Sequence, residues 1–337
     1  MVTLKDVAQA ANVSKSTVSA VLANRASELG IKEETCRKVR HVAARLRYRK
    51  NEIAAQMKSN RANMIAFFMR HSYMQEFSFQ ATGGASLEAE KQGCYLKTVI
   101  SGEESDIGRQ LDYTIGQCPA ALIHFGDPGG ERQRFVEAAQ ECRLPLVFID
   151  YREAPPAKSI LSDDEAGIRE VIRLLHTLGH RHIIHLTDPV RAQYAATRYR
   201  AFLEAMKEFG LPVTDGNIFL EQRDGSYGEI SERLIRLFRS PSPPTAICCG
   251  TDYFALQALT VLQSIGVRVP EEVSVAGFGD LNFARKCAPR LTTVGQQFEE
   301  LGTRAVRLAL SGDEAAPDTI LLPTNLIVRE STAPAIR

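Results

Sequence analysis

The 337-residue sequence has no run of about 18 consecutive apolar residues that could cross a bilayer. Its opening stretch, Met1 to Ala11, holds Lys5 and Asp6 where an export signal requires an apolar core. These two absences predict a cytoplasmic protein with no membrane partner. No C-x-x-C pair occurs among the seven cysteines, Cys36, Cys94, Cys118, Cys142, Cys248, Cys249 and Cys287, and the odd number predicts free thiols rather than a disulfide framework or a zinc site. No G-x-x-x-x-G-K-S/T phosphate loop is found, and Gly277-Phe278-Gly279 lacks the last glycine of a dinucleotide fingerprint. Gly225-Ser226-Tyr227-Gly228 fails as a nucleophile elbow because Asp224 replaces the first glycine. With no set of acid, base and nucleophile in view, no catalytic residue, metal or cofactor is expected.

What is present is a globular composition, 44% hydrophobic and 24% charged, on a chain long enough for two or three domains. The net charge of +1 conceals an asymmetry. Residues 1–62 carry thirteen Lys/Arg against five Asp/Glu, a net of +8, which leaves −7 for the remainder. A basic head on an acidic body is the electrostatic footprint of a polyanion-binding module joined to something that does not bind polyanions.

The head reads as three short helices. Thr3 caps the first, whose apolar face is Leu4, Val7, Ala8 and Ala11. Asn12-Val13-Ser14 breaks it, and a second helix opens at Ser14 or Lys15 with Val18, Val21 and Leu22 inward and Lys15, Ser16, Thr17 and Ser19 outward. This pattern describes a helix-turn-helix. A third helix is predicted from about Glu33 to Leu46, with Arg37, Lys38, Arg40, Arg45 and Arg47 opposite its apolar face. From Met64 onward, apolar runs (64–69, 95–100, 120–125, 146–149, 182–187, 246–249 and 273–276) alternate with helical stretches (85–92, 131–142, 166–178, 198–209, 230–238 and 253–265). That alternation predicts an α/β architecture of two doubly wound parallel-sheet lobes with a ligand cleft between them.

Thr3-Leu4-Lys5-Asp6-Val7-Ala8 followed by Val13-Ser14-Lys15-Ser16-Thr17-Val18-Ser19 closely resembles the head of the lactose-repressor/galactose-repressor family. The likeness continues in Glu33-Glu34-Thr35, Tyr48, Asn51, Leu178-Gly179-His180-Arg181, Leu291-Thr292-Thr293-Val294, Glu299-Glu300-Leu301-Gly302 and Val328-Arg329-Glu330-Ser331-Thr332. It implies a helix-turn-helix head at 1–49, a hinge helix and linker at 50–62, and a periplasmic-binding-protein-like sensor at 63–337. Within the sensor it implies an N-lobe of about 63–160 and 289–318 and a C-lobe of about 161–288 and 319–337. The implied partners are a near-palindromic operator duplex, a small-molecule effector of the sugar or sugar-derivative kind, and a second copy of the chain, as a homodimer or a tetramer.

The resemblance makes Lys15 and Ser16 the base-reading residues, since a lysine there can donate to guanine O6 or N7 in the major groove. Thr3, Ser14, Thr17, Ser19, Asn24, Tyr48, Lys50, Asn51 and Ala54 complete the expected DNA contacts. Solvation of a helix surface is the alternative for the hydroxyls. Ala20 departs from the family, which often has a base-reading arginine at that place. Met57 stands where the family inserts a leucine between base steps; the plainer reading of residues 50–61 is a basic linker that folds on DNA.

For the sensor, the resemblance names Asp150, Arg198, Thr251, Asp252 and Gln296 as effector-facing, and near the cleft mouth Tyr73 and Phe77 are candidates for stacking on a ligand. Tyr73 and Phe77 read equally well as core, Arg198 as a surface arginine, and Asp252 as a helix cap. Gly279 stands where many members have a sugar-holding aspartate, so an ordinary monosaccharide is not to be assumed. His180, His182 and His185 look like a metal cluster, yet strand alternation puts His182 and His185 on opposite faces. The competing classes are a transport-type sugar-binding protein, which has no basic helical head, and an enzyme, which needs a catalytic set. A sequence-specific transcriptional regulator, by default a repressor, fits best.

Overall fold

A computed structural model describes residues 2–48, 62–102, 106–187, 192–213, 218–220, 227–313 and 315–336. The chain divides into a unit of residues 1–62 and a unit of residues 63–337.

The first unit holds α1 (Leu4–Ala11), α2 (Lys15–Leu22) and α3 (Glu33–Arg45). Thr3 starts α1 with a reciprocal cap: its hydroxyl accepts from the Asp6 N–H at 3.3 Å, and Asp6 Oδ2 accepts from the Thr3 N–H at 2.7 Å. Asn12 ends α1 in the left-handed region at φ 52°, a conformation asparagine tolerates. Ser14 then caps α2 by accepting from the Thr17 N–H at 3.0 Å. The C-cap Asn12 and the N-cap Ser14, two residues apart, therefore set the turn. Val7, Ala11, Val18, Val21, Cys36, Val39 and Val42 form the small core the three helices share.

The second unit begins with β1 (Met64–Arg70), α4 (Glu76–Lys91), β2 (Tyr95–Ser101), α5 (Ile107–Ile115), β3 (Ala121–Phe125), α6 (Arg132–Cys142), β4 (Leu146–Ile149) and β5 (Lys158–Ser162). It continues with α7 (Asp164–Thr177), β6 (Ile183–Thr187), α8 (Gln193–Glu208), β7 (Ile218–Leu220), α9 (Tyr227–Phe238), β8 (Ala246–Cys249), α10 (Asp252–Ser264) and β9 (Ser274–Gly279). It ends with β10 (Thr292–Gly295), α11 (Phe298–Leu310), β11 (Thr319–Leu322) and β12 (Asn325–Ile327). The N-lobe sheet runs β11-β5-β4-β3-β1-β2 and the C-lobe sheet β12-β10-β9-β8-β6-β7. All pairings are parallel except β10 with β12. Strands such as β1 and β3 are buried along their length because helices cover both faces.

The lobe boundaries expected from the sequence need correction. β10 lies within 289–318 yet pairs with β9 in the C-lobe, and β11 lies within 319–337 yet pairs with β5 in the N-lobe. Four-residue strands carry too little pattern to declare which sheet they join; pairing decides it. The chain consequently crosses between lobes at Asp163, at Gln296-Gln297 and at Pro323-Thr324. The crossings are tied together: Asp163 N–H donates to Leu322 O at 2.8 Å, Thr324 Oγ1 to Asp163 O at 2.9 Å, and Gln297 Nε2 to Pro323 O at 2.8 Å. The helix predicted over 85–92 is also longer, starting at Glu76. Gly83 and Gly84 hid its first half, and Gly84 is there for close approach, since a Cβ would sit 2.0 Å from Glu299 O of α11.

Candidate nucleic-acid interface and effector cleft

On the head, Lys15 and Ser16 are exposed at the first turn of α2, where free backbone N–H groups and the helix dipole favour a phosphate oxygen. Ser14 Oγ is within 2.7 Å of Ser16 Oγ and 2.8 Å of Thr17 Oγ1, so three hydroxyls form one local network around the cap. Thr17 and Ser19 are half-buried, Thr3 is exposed with its hydroxyl on Asp6, and Asn24 is exposed at φ 55° just past α2. Tyr48 packs half-buried against the head core. Ala20 is buried, so its methyl fills the head core and offers no hydrogen bond to a base. Arg37, Lys38, Arg40, Arg45 and Arg47 are all exposed. Lys50, Asn51, Ala54 and Met57 lie outside the described residues.

In the sensor, Arg198 is only 4% exposed, which rules out the surface reading. It sits on α8 and reaches three elements: Nε donates to Asp164 Oδ2 at 2.8 Å, Nη1 to Gly250 O at 2.7 Å, and Nη2 to Gln296 Oε1 at 3.3 Å. Its guanidinium lies 4.0 Å from the Phe278 ring centroid and 5.2 Å from that of Tyr194. Gln296, in the second crossing, also donates to Ser162 Oγ at 2.9 Å and so joins both lobes to this arginine. Asp150 follows β4 in the left-handed region at φ 59° and donates its N–H to Ile160 O at 2.9 Å. Its carboxyl is pushed up to about 6 by burial and by the nearby Asp164, with Arg198 opposing. Burial likewise raises Asp164, against the pull of Arg198.

The cap role expected of Asp252 is corrected, and Tyr73 and Phe77 take the core alternative. Asp252 is fully buried with both carboxylate oxygens taken: Oδ1 accepts from Thr293 Oγ1 at 2.5 Å and Oδ2 from the Leu281 N–H at 2.8 Å, tying α10 to the chain around β9 and β10. Thr251, not Asp252, is the helix cap, its hydroxyl accepting from the Phe254 N–H at 3.3 Å. Tyr73 and Phe77 belong to an apolar cluster with Phe125 and Phe298, and Leu281 and Phe283 of the C-lobe side pack into it. Tyr73 Oη accepts from the Asp127 N–H at 3.2 Å. Beside that cluster Asn282 N–H donates to the Glu76 carboxylate at 2.9 Å. Tyr73 and Phe77 thus pack, half-buried, against the N-lobe core.

The histidines are structural. His180 bonds Thr245 Oγ1, Ser274 Oγ and Ala333 O, each at 3.0 Å, and His185 bonds Cys248 O at 2.9 Å while stacking on Phe202. Among the described residues no cluster of three or more His, Cys, Asp or Glu could hold a metal, and no helix is long and apolar enough to cross a membrane. Gln296 also lines a cavity of about 330 Å³ with Gln80, Gln297, Glu299, Glu300 and Thr303, which contains none of the buried charges.

Sequence reasoning missed Asp164, Thr187, Gly250 and Phe278. Asp163-Asp164-Glu165 reads as the acidic first turn of a helix, and nothing local marks Asp164 as the partner of an arginine 34 residues away.

Comparison with known proteins adds to this geometry. Residues 3–51 match "Bacterial regulatory proteins, lacI family" and residues 172–332 match "Periplasmic binding protein-like domain". The "Probable HTH-type transcriptional repressor ExuR" of Bacillus subtilis is 28% identical over 98% of both chains. The "HTH-type transcriptional repressor PurR" of Escherichia coli is 28% identical over 99% of this chain and 97% of the relative. The crystal structure of the lac repressor dimer bound to operator and the anti-inducer ONPF superposes with a TM-score of 0.86 at 26% identity, over 98% of this chain and 99% of that one.

Proposed function

The chain belongs to the lacI family of bacterial regulatory proteins, and from that premise we propose that it is a transcriptional repressor whose head binds a near-palindromic operator under control of a small molecule held between the sensor lobes. The observation that carries the reading is the first turn of α2: Lys15 and Ser16 stand exposed on a helix fixed by the Ser14 cap, in a unit whose other cations among the described residues are also exposed. Cations at that surface neutralise phosphates and release counterions, while the lysine and serine at the helix start read base edges. The family consists of regulators, not enzymes.

Two copies give the two-fold symmetry a near-palindrome requires. The sensor face available for pairing is on α4, where Phe79 and Leu87 are 57% and 54% exposed and Gly83 between them has open space over its Cα. Phe79, Gly83 and Leu87 recur every fourth residue, one stripe of a helix that another copy can approach closely. The segment that carries Lys50, Asn51, Ala54 and Met57 contacts the duplex between the heads, Lys50 at a phosphate and Met57 as the minor-groove wedge, and the effector acts by favouring one arrangement of the lobes about the three crossings. The effector is a sugar or a sugar derivative.

Selection of bound duplexes from a random library with the full chain tests the reading. A recovered near-palindrome, bound as two chains per site, is the expected result; recovery of random sequence overturns it.

A further inference from the structure

At the start of α7 and the carboxyl end of β6 lie buried oxygen atoms that lack donors. Asp164 is 5% exposed, and while its Oδ2 accepts from Arg198, its Oδ1 is buried with no hydrogen-bond partner among the described residues. Thr187, the last residue of β6, is 1% exposed, and its Oγ1 is buried and unpartnered in the same way. The two lie around one arginine: a Cβ on Gly250 would come within 2.9 Å of Thr187 Oγ1, and Gly250 O is the acceptor for Arg198 Nη1. Buried oxygens without partners are costly, and a ligand that donates to them removes that cost.

The charge balance narrows what that ligand is. Asp150 and Asp164 both interact electrostatically with Arg198, so two carboxyls face one cation. The cation is already committed, with Nε on a carboxylate, Nη1 and Nη2 on a carbonyl and an amide oxygen, and its plane against Phe278. An incoming carboxylate or phosphate that took the fork of Arg198 would break the Asp164 pair and leave a buried aspartate uncompensated.

The geometry points to an effector without negative charge that presents several hydroxyl or ammonium donors to Asp150, Asp164 and Thr187, an uncharged polyol or an amino sugar in preference to the sugar acid or sugar phosphate of the same skeleton. This inference rests on the cleft being the effector site. Arg198 then serves to hold Asp164 and Gln296 in place, and the carboxyl oxygens do the recognising.

The test is calorimetry of the full chain with matched sets: aldohexoses and aldopentoses, their alditols and amino sugars, and the corresponding uronates, aldonates and terminal phosphates. The expected result is binding by at least one uncharged or amino member, at least tenfold tighter than its acid and phosphate counterparts, and weakened at least fivefold by Thr187→Val, which removes a hydroxyl without changing side-chain volume. An acid or phosphate that binds as tightly as its uncharged parent overturns the inference, as does the absence of binding by every uncharged and amino member, or unchanged binding in the valine variant. Operator binding by the ligand-free chain is measured alongside. Its loss would overturn the repressor reading, whereas an anionic ligand on a chain that still binds operator overturns only the inference about charge.

Discussion

Arg37, Lys38, Arg40, Arg45 and Arg47 of the head are exposed to solvent, whereas Arg198 of the sensor is 4% exposed and committed to Asp164, Gly250 and Gln296. The same side-chain chemistry serves two purposes. Cations held at high dielectric attract a polyanion over a distance and are weakened by salt. A cation held at low dielectric is screened little, and its partners are fixed by geometry, so it selects among small ligands by which bonds they would break. The acidic balance of the sensor and the basic balance of the head reflect that division, and each prediction below probes one side of it.

The largest effect is expected at the buried pair. Arg198→Ala leaves Asp164 buried without its cation and should destabilise the chain by about 3–5 kcal/mol. Adding Asp164→Asn to it should restore most of that loss in denaturant unfolding, while the effector response stays absent in both. If the double variant is no more stable than the single one, the pair is not what holds this region.

Asp252 gives the next largest effect. Burial pushes its carboxyl up to about 6 from an ordinary 3.8, with the Thr293 and Leu281 donors opposing. Between those values the folded chain keeps a proton that the unfolded chain has released. Bound protons therefore favour the folded state, and this group's contribution declines as pH rises from about 4 to about 6, by up to about 3 kcal/mol. Asp252→Asn should flatten the fall of unfolding free energy across that window; an unchanged slope would contradict the assignment. Asp150 and Asp164 are raised as well, so part of the slope persists.

The smallest effect belongs to the exposed surface. Lys15→Ala should cost about 1–3 kcal/mol on the operator and less on random duplex, read by competition binding. Arg45→Ala should weaken both equally. An equal loss on both for Lys15 would reassign it to phosphate contact.

Legibility in the sequence follows the range of the interactions. The head was readable because its signals are local: Thr3 with Asp6 and Ser14 with Thr17 are caps spanning three residues, and the valines at helical spacing sit on the same face that packs. The buried apolar runs of β1, β3, β4 and β8 were equally plain. The short strands β5, β10, β11 and β12 were not, since three to five residues of mixed polarity carry no period and depend on their neighbours in the sheet, and β7 is only three residues long. In the cleft, Arg198, Asp150 and Gln296 were reached through resemblance, and the geometry brings Arg198 to Gln296. Asp164 and Thr187 were invisible because their roles exist only once β5, β6 and α8 are assembled. Asp252 was misplaced for the converse reason: the partner that holds its carboxylate, Thr293, arrives late in the chain.

The central claim is that the basic head recognises a particular duplex through surface charge plus base contacts. The most direct measurement is the equilibrium affinity of the full chain for its selected operator and for random duplex as salt is raised. The account predicts that log affinity falls linearly with log salt on both DNAs, with the operator remaining about 10³-fold or more tighter at physiological salt. Equal affinity for the two, or an affinity indifferent to salt, would contradict it.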